Sequence, residues 1–324
     1  RRDRTGLLAY RNVTLPNTFG GSFPQENLNS DRIQGLDFAF THQKRVNRDF
    51  SYHVSGNFNY NRHKNLYVEQ GAANSSWEKY RGQQSNRYTG IVWTYNVIGR
   101  FKNEEEILNA PIYQGNRGNE WVLPGDWIYE DLNNDGVIDG NDIKPMFFGQ
   151  HVPLVNYGFT LAPNYKGFDI NMLFQGSALF SKRYTHAYAT MFWQYANLPA
   201  YFNDRWHRED PYDPQSQWIP GEWPAMRITQ YADGARLYEE SNAWRKDASY
   251  LRFKNVEVGY TVDDKIMRKV GVEGLRIYLN MNNLLTWTDK YLKYFDPEVA
   301  TGDRSTGWIY PISRTTSLGF NLMF

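Results

Sequence analysis

Cysteine is absent from the 324 residues of this chain, and so is any apolar run long enough for a transmembrane helix. The first absence excludes disulfide scaffolds, thiolate metal sites, iron–sulfur clusters and cysteine nucleophiles. Charge of one sign is also lacking, since 36 Lys and Arg balance 35 Asp and Glu to a net charge of +1. This balance argues against a dedicated nucleic-acid binder, which would be strongly basic, and against a charge-extended disordered chain.

Aromatic residues, in contrast, are abundant. They make up 17% of the chain, although its mean hydropathy is polar at −0.69. They alternate with polar residues over long stretches, which is the two-residue period of a β-strand. Residues 50–61 show the pattern best, with one face formed by Phe50, Tyr52, Val54, Phe58 and Tyr60 and the other by Ser51, His53, Asn57 and Asn59. Such faces indicate a β-barrel wall between lipid and water.

Strand length separates this prediction from a soluble β-sandwich, in which polar and apolar residues also alternate. Sandwich strands usually have about 5–6 residues, whereas membrane strands need about 9–11. We therefore predict an all-β fold, a segment of a transmembrane antiparallel β-barrel. Its strands are predicted at 33–42, 50–61, 88–101, 151–162, 167–176, 248–262, 274–285 and 311–324, with 6–14 as the tail of an earlier strand.

The predicted connections differ greatly in length. Long loops at 102–150, 177–247 and 286–310 are expected outside the cell, and tight turns such as 163–167 on the periplasmic side. The same strand count puts the tight 43–49 turn outside the cell and 62–87 in the periplasm, against this pattern. A strand at Trp121–Leu132 is a candidate for one missing from the count.

Oxygen-bearing residues recur at a fixed spacing in 131–142. The loop has Gly136 at position 6, oxygen ligands at positions 1, 3 and 5, and a carboxylate at position 12, which is the pattern of an EF-hand-type calcium loop. The predicted ligands of a structural Ca²⁺ are Asp131, Asn133, Asp135, Val137 through its carbonyl, Asp139 and Asp142. The last position holds Asp instead of Glu, and no flanking helix pair is evident. The alternative is an Asx-rich turn without an ion.

The loop 177–247 is rich in aromatic side chains, whose faces can stack on sugar rings or peptide side chains. The predicted substrate or partner contacts are Trp193, Tyr195, Trp206, Trp218, Trp223 and Trp244. The alternative is that these residues pack the loop against itself or a partner. The sequence has no H-E-x-x-H, G-x-S-x-G or P-loop motif, so we expect no enzymatic activity and no catalytic residue.

Several segments resemble, in the same order, signatures of the SusC/RagA family, the TonB-dependent outer-membrane transporters of the Bacteroidetes. The most specific runs from Gly125-Asp126 to Ile138-Asp139. The others are Gly167–Gly176, Ser249–Tyr260, Asn282–Thr288 with Asp296–Val299, and Tyr310–Phe324. The matches are spread over nearly the whole chain.

The resemblance implies a barrel of about 22 strands with an N-terminal plug. Residues 1–324 would be its C-terminal part, without the plug and the first strands. It also implies TonB-energised import of oligosaccharides or peptides, a SusD-like lipoprotein lid, energy supply by TonB–ExbB–ExbD, and location in the outer membrane of a Gram-negative bacterium. The alternative is a secreted soluble β-sandwich that binds glycans and carries a dockerin-like calcium loop.

Overall fold

The structure is a computed structural model that describes residues 1–13, 20–21, 23–150, 152–184, 188–192, 197–227, 233–294, 296–298 and 312–324. Its α-helices are Ser76–Gly82, Glu104–Leu108 and Asp264–Met267, and its 3-10 helices are Ala200–Asn203, Arg268–Val270 and Lys290–Tyr294. Within these ranges, no helix has the length and apolar character needed to cross a membrane.

Strands dominate the described residues. They are β1 (Arg2–Tyr10), β2 (Gln25–Arg45), β3 (Phe50–Tyr67), β4 (Arg87–Tyr88), β5 (Val92–Tyr95), β6 (Val97–Arg100), β7 (Asn116–Asn119), β8 (Trp127–Tyr129), β9 (Ile143–Phe147), β10 (Val155–Tyr165), β11 (Phe168–Ala178), β12 (Ser181–Arg183), β13 (His207–Arg208), β14 (Trp218–Ile219), β15 (Arg245–Asp247), β16 (Tyr250–Thr261), β17 (Gly274–Thr288) and β18 (Thr315–Met323).

Eight long strands form one antiparallel sheet, which we call the wall. Their order is β1-β2-β3-β10-β11-β16-β17-β18, with the short β4 also paired to β3. The other sheets in the described ranges have two strands each. No second sheet of sandwich size therefore covers the wall in this part of the chain, and the all-β barrel prediction is confirmed. The wall is open, with β1 and β18 at its edges.

The prediction of a wall strand at 88–101 is wrong. This segment forms three short strands, β4, β5 and β6, and β3 pairs directly with β10. The candidate strand Trp121–Leu132 is not a wall strand either, because it contains only β8, which pairs with β6. The error has a physical cause. Trp93, Tyr95 and Val97 recur at every second position as in a wall strand, but Tyr95 is buried in the core formed by the loops and Val97 packs against that core.

Without 88–101 as a wall strand, the strand count agrees with the lengths of the connections, and the tight 43–49 turn no longer falls on the side of the long loops. Three connections lie at one end of the wall: the turn after Arg45, the turn after Tyr165 and the connection after Thr261. The pairing shows this, because Arg45 pairs with Ser51, and Tyr165 pairs with both Phe50 and Phe168. The strand ends that flank the long connections 68–154, 179–249 and 289–314 lie at the other end. Tight turns at one end and long loops at the other are typical of outer-membrane barrels.

The wall has two chemically different faces. Phe38 lies opposite Phe58, and the ring of Phe174 stacks between Phe159 and Phe253 with both centroid distances at 4.4 Å. This apolar face is open, as the 59% exposure of Phe38 illustrates. Exposed apolar patches of this extent mark a surface that another apolar phase covers.

The main apolar core lies in the long loops and not behind the wall. Its buried members are Tyr95, Trp127, Tyr129, Ile138, Tyr184, Ala189, Met191, Tyr201, Phe202, Trp223, Leu237 and Trp244. All of them belong to the connections 68–154 and 179–249. These two loops therefore fold together as one packed unit, which we call the loop cap.

Candidate functional site: the wall lining and the loop cap

The polar face of the wall carries a bridged cluster of charges. Arg276 on β17 donates from Nε to Asp169 Oδ1 on β11 at 3.0 Å and from Nη2 to Glu257 Oε1 on β16 at 2.7 Å. The guanidinium can cross β16 only because residue 259 is glycine, since a Cβ there would lie 2.5 Å from Arg276 Nη2. This cation ties three strands together and leaves the face hydrophilic.

Amide side chains continue this polar lining beside the charge cluster. Asn255 Nδ2 donates to Asn282 Oδ1 at 2.8 Å, and Asn280 Nδ2 donates to Glu257 Oε2 at 3.0 Å. Further along the sheet, Asn59 donates to Asp37. A surface of amides and paired charges offers many weak hydrogen bonds to water or to a polar solute. The face therefore suits many weak contacts with water or polar solutes better than tight capture of one group.

A buried ion pair joins the two halves of the loop cap. Arg227 Nη1 donates to Asp126 Oδ2 at 2.8 Å and to the Trp121 carbonyl at 2.8 Å. The Asp126 side chain is 1% exposed, and its Oδ2 also accepts the Leu123 N–H. Breaking such a pair by removing one partner is strongly destabilising. Asp126 belongs to the signature that carried the family resemblance, so this signature has a structural role in the cap.

A second buried cation holds residues 296–298 against the wall. Arg252 on β16 is 1% exposed and reaches Asp296 Oδ2 and Glu298 Oε2, each at 2.6 Å. The Tyr250 hydroxyl donates to Glu298 Oε1 at 2.8 Å. We call these four side chains the latch. It brings together two signature segments that lie more than forty residues apart in the sequence.

The amine of Lys182 on β12 lies near the latch, with Nζ 3.5 Å from the Asp296 carbonyl. Burial lowers the pKa of this amine to about 8, against the opposing effect of the Asp296 and Glu298 charges. Sequence reasoning missed the latch. Its only sequence signal is opposite charge on two distant segments, which many other pairs in the chain share.

The predicted aromatic contacts are mostly packing residues of the cap. Trp244 is fully buried, and its ring stacks on that of Trp223 with centroids 5.4 Å apart. Trp206 is also buried, whereas Trp218 is half-buried beneath the Arg208 guanidinium. These side chains pack within the cap, and their contact with a substrate or partner stays a prediction. The two remaining contacts, Trp193 and Tyr195, lie outside the described residues.

The predicted calcium loop 131–142 is closed by hydrogen bonds from its own backbone. Asp131 accepts the Asn134 and Gly136 N–H groups at 2.7 and 2.8 Å, and Asp135 accepts the Val137 N–H at 2.9 Å. Within the described ranges, no group of three or more His, Cys, Asp or Glu is placed to hold a metal. Calcium binding by this loop therefore stays a prediction.

One acidic residue of this loop is fixed more deeply than the others. Asp142 is fully buried, and its two oxygens accept the Leu132 and Asp139 N–H groups at 2.9 and 2.7 Å. Burial raises the pKa of this carboxyl. Ile138 inserts into the core of the cap, so the loop is held at its centre and at its end.

Solved structures with a similar fold include those of one importer. The RagAB peptide importer in its "open-open" state matches with a TM-score of 0.62 at 20% identity, over 99% of this chain and 32% of that one. The same importer in its "closed-closed" state matches with a TM-score of 0.60 at 19% identity. At these identities the likeness shows the fold alone, which is a β-barrel, here as an open sheet.

Sequence relatives then identify the group more narrowly. TonB-dependent receptor P3 of Formosa agariphila is 27% identical over 328 residues, and TonB-dependent receptor SusC of Bacteroides thetaiotaomicron is 23% identical over 327 residues. The chain spans 30% and 29% of the lengths of these curated relatives. No family model matches the chain. The resemblance to the SusC/RagA group is thus confirmed, and the relatives are receptors and transporters, not enzymes.

Proposed function

We propose that this chain forms part of the barrel wall and the loop cap of an outer-membrane importer energised by TonB. Its cargo is an oligosaccharide or a peptide, and residues 1–324 are the C-terminal part of the whole transporter. The wall provides a polar surface along the route of the cargo, and the cap lies at one end of that route. No bond is made or broken in this function, so the chain's contribution is binding, orientation and passage.

The observation that carries the proposal is the pair of faces on one continuous eight-stranded sheet. The apolar face is exposed along its length, up to 77% at Leu318, while the opposite face holds Asp169, Glu257 and Arg276. A soluble protein would cover such an apolar face with a second layer. Lipid covers it in a transmembrane barrel, where outward apolar and inward polar residues alternate. The relatives described above support the same function.

The proposed partners are a SusD-like lipoprotein lid over the long loops and the TonB–ExbB–ExbD complex. The support for the lid is the likeness to SusC and to the RagAB importer. The support for energisation is the likeness to TonB-dependent receptors. A structural Ca²⁺ at 131–142 is part of the proposal and is tested separately below.

Nutrient uptake tests the proposed function. The gene for the complete protein is deleted in its own host, and growth is measured with pooled oligosaccharides, pooled peptides, or free glucose and amino acids as nutrients. We expect loss of growth on one of the two pools and normal growth on the free nutrients, with the same loss in a tonB deletion. Normal growth of the deletion strain on every oligosaccharide and peptide pool would contradict the proposal.

A further inference from the structure

A cavity of about 190 Å³ opens within the loop cap, beside the buried core. Its wall combines side chains from three separate segments: Arg100 and Trp127 from the connection 68–154, Trp223 and Lys246 from 179–249, and Tyr291 from the segment after β17. Because Trp127 and Trp223 are also core residues, the cavity has a rigid base.

Two cations lie in this cavity against aromatic rings. The Arg100 Cζ atom is 3.9 Å from the centroid of the Trp127 ring, and the Lys246 Nζ atom is 4.5 Å from that of Tyr291. Arg100 Nη1 donates to the Gly125 carbonyl at 3.0 Å, and Lys246 Nζ donates to the Asn242 carbonyl at 2.8 Å. These bonds fix the positions of both cations, and the ammonium group keeps further N–H donors.

The lining of the cavity carries more positive than negative charge. Among its described lining residues the one carboxylate is Glu222, an exposed residue whose Oε1 lies 3.4 Å from Lys290 Nζ. Outside the lining, Asp126 and Asp204 act on Arg100 and Asp289 acts on Lys246. Burial lowers the pKa of both the Arg100 guanidinium and the Lys246 amine. The indole N–H of Trp127 is buried and has no hydrogen-bond partner among the residues that the structure describes. A buried donor without a partner, and a lining with more cations than carboxylates, both favour the binding of an anion in this cavity.

We propose that this cavity is an anchor subsite for a carboxylate group on the imported cargo. Pockets that enclose a whole small ligand usually have about 300–1,000 Å³, so this one holds a carboxylate and the few atoms next to it. The cations bind the oxygens, and the aromatic rings pack on the adjoining carbon atoms. The proposal rests on the proposed function only in taking the ligand to be cargo. Acidic sugars and peptides both supply such a group.

Small paired probes test the subsite directly on the purified full-length protein. D-glucuronate is compared with D-glucose, and N-acetylglycine with N-acetylglycinamide, by ligand-observed NMR titration. We expect the two acids to bind and the two neutral probes to bind at least tenfold more weakly, which is the factor that a charge-assisted hydrogen bond contributes. If only one acid binds, that acid identifies the cargo as a sugar or a peptide. Equal binding of acids and neutral probes, or binding by neither acid, overturns the subsite.

Variants at Lys246 locate the binding. Lys246→Met removes the charge and keeps the length of the side chain, so acid binding should fall at least tenfold, and Lys246→Arg should restore most of it. Lys166→Met, at the opposite end of the wall, is the matched control and should bind as wild type. Unchanged acid binding in a folded Lys246→Met protein overturns the proposal. Acid binding and nutrient uptake are measured separately. Loss of acid binding with normal uptake would refute the subsite and leave the importer function intact. Acid binding without any uptake would refute the importer function alone.

Discussion

At the scale of single residues, the direction of a side chain on a wall strand decides which substitutions the chain tolerates. Val54 lies opposite Leu161 on the apolar face, and Asn57 lies opposite Gly158 on the polar face. A charge facing lipid near the bilayer midplane costs about 2–4 kcal/mol, whereas a lumen-facing charge does not. We therefore expect Val54→Arg to reduce the amount of folded protein in the outer membrane, and Asn57→Arg to leave it unchanged.

The measurement is the heat-stable fraction of the full-length protein in outer-membrane preparations, with total protein as the reference. Asn57→Arg is the matched control, since it introduces the same side chain three residues away on the same strand. Equal insertion of the two variants would show that the apolar face of β3 does not contact lipid.

At the scale of elements, the latch should control whether the segment after β17 stays docked. Arg252→Gln removes the buried cation that holds Asp296 and Glu298. Breaking a buried ion pair in this way typically costs about 3–5 kcal/mol. We expect the variant barrel to insert normally but tryptic cleavage within 289–314 to be at least tenfold faster than in wild type.

Arg208→Gln is the control for the latch, because Arg208 pairs with Glu104, whose side chain is 62% exposed. Such surface pairs contribute only about 0–1 kcal/mol. Cleavage of Arg208→Gln should therefore match wild type. A cleavage rate for Arg252→Gln that equals that of this control would show that other contacts hold the segment.

The loop 131–142 allows a second test at this scale. If it binds calcium, free Ca²⁺ at 100 times its dissociation constant should stabilise the cap by about 2.7 kcal/mol, and a chelator should reverse this stabilisation. Asp135→Asn keeps an oxygen that can accept the Val137 N–H but loses a charge, so the calcium response should weaken. Asp213→Asn, outside the loop, is the control. Identical melting of wild type with calcium and with chelator would establish the Asx-rich turn.

At the scale of the whole molecule, the open wall needs further strands. The outer edges of β1 and β18 have no partner among the described strands, and open sheet edges are not viable in lipid. We predict that other strands of the complete protein separate β1 from β18. Because residues 1–324 contain no cysteine, a pair of cysteines introduced into them can report on this arrangement, with the full-length protein lacking the pair as the reference.

Leu7→Cys on β1 combined with Leu318→Cys on β18 should form no disulfide under mild oxidation. The control pair, Leu279→Cys with Leu318→Cys, should form one, because these residues are direct neighbours on β17 and β18 and disulfides need Cα atoms about 4.4–6.8 Å apart. Efficient formation of the first disulfide would mean that the chain closes into a small barrel, which would contradict the larger transporter.

The sequence by itself determined the properties that depend on neighbours along the chain. Alternation in 50–61 and 274–285 correctly predicted which residues share a face, because side-chain direction in a strand follows from the two-residue period alone. The turn at Lys166 and Gly167 was also predictable, and both residues have the positive φ that such a turn requires.

Only the tertiary structure decided which segments become neighbours. The period of 88–101 matched a wall strand, yet the loop cap takes Val92 and Tyr95 into its buried interior. The Arg252 latch, the Asp126–Arg227 pair and the cavity around Lys246 each join residues from separate segments. Periodicity records the face on which a residue lies but not what packs against that face, because burial and ion pairing depend on contacts between residues far apart in the sequence.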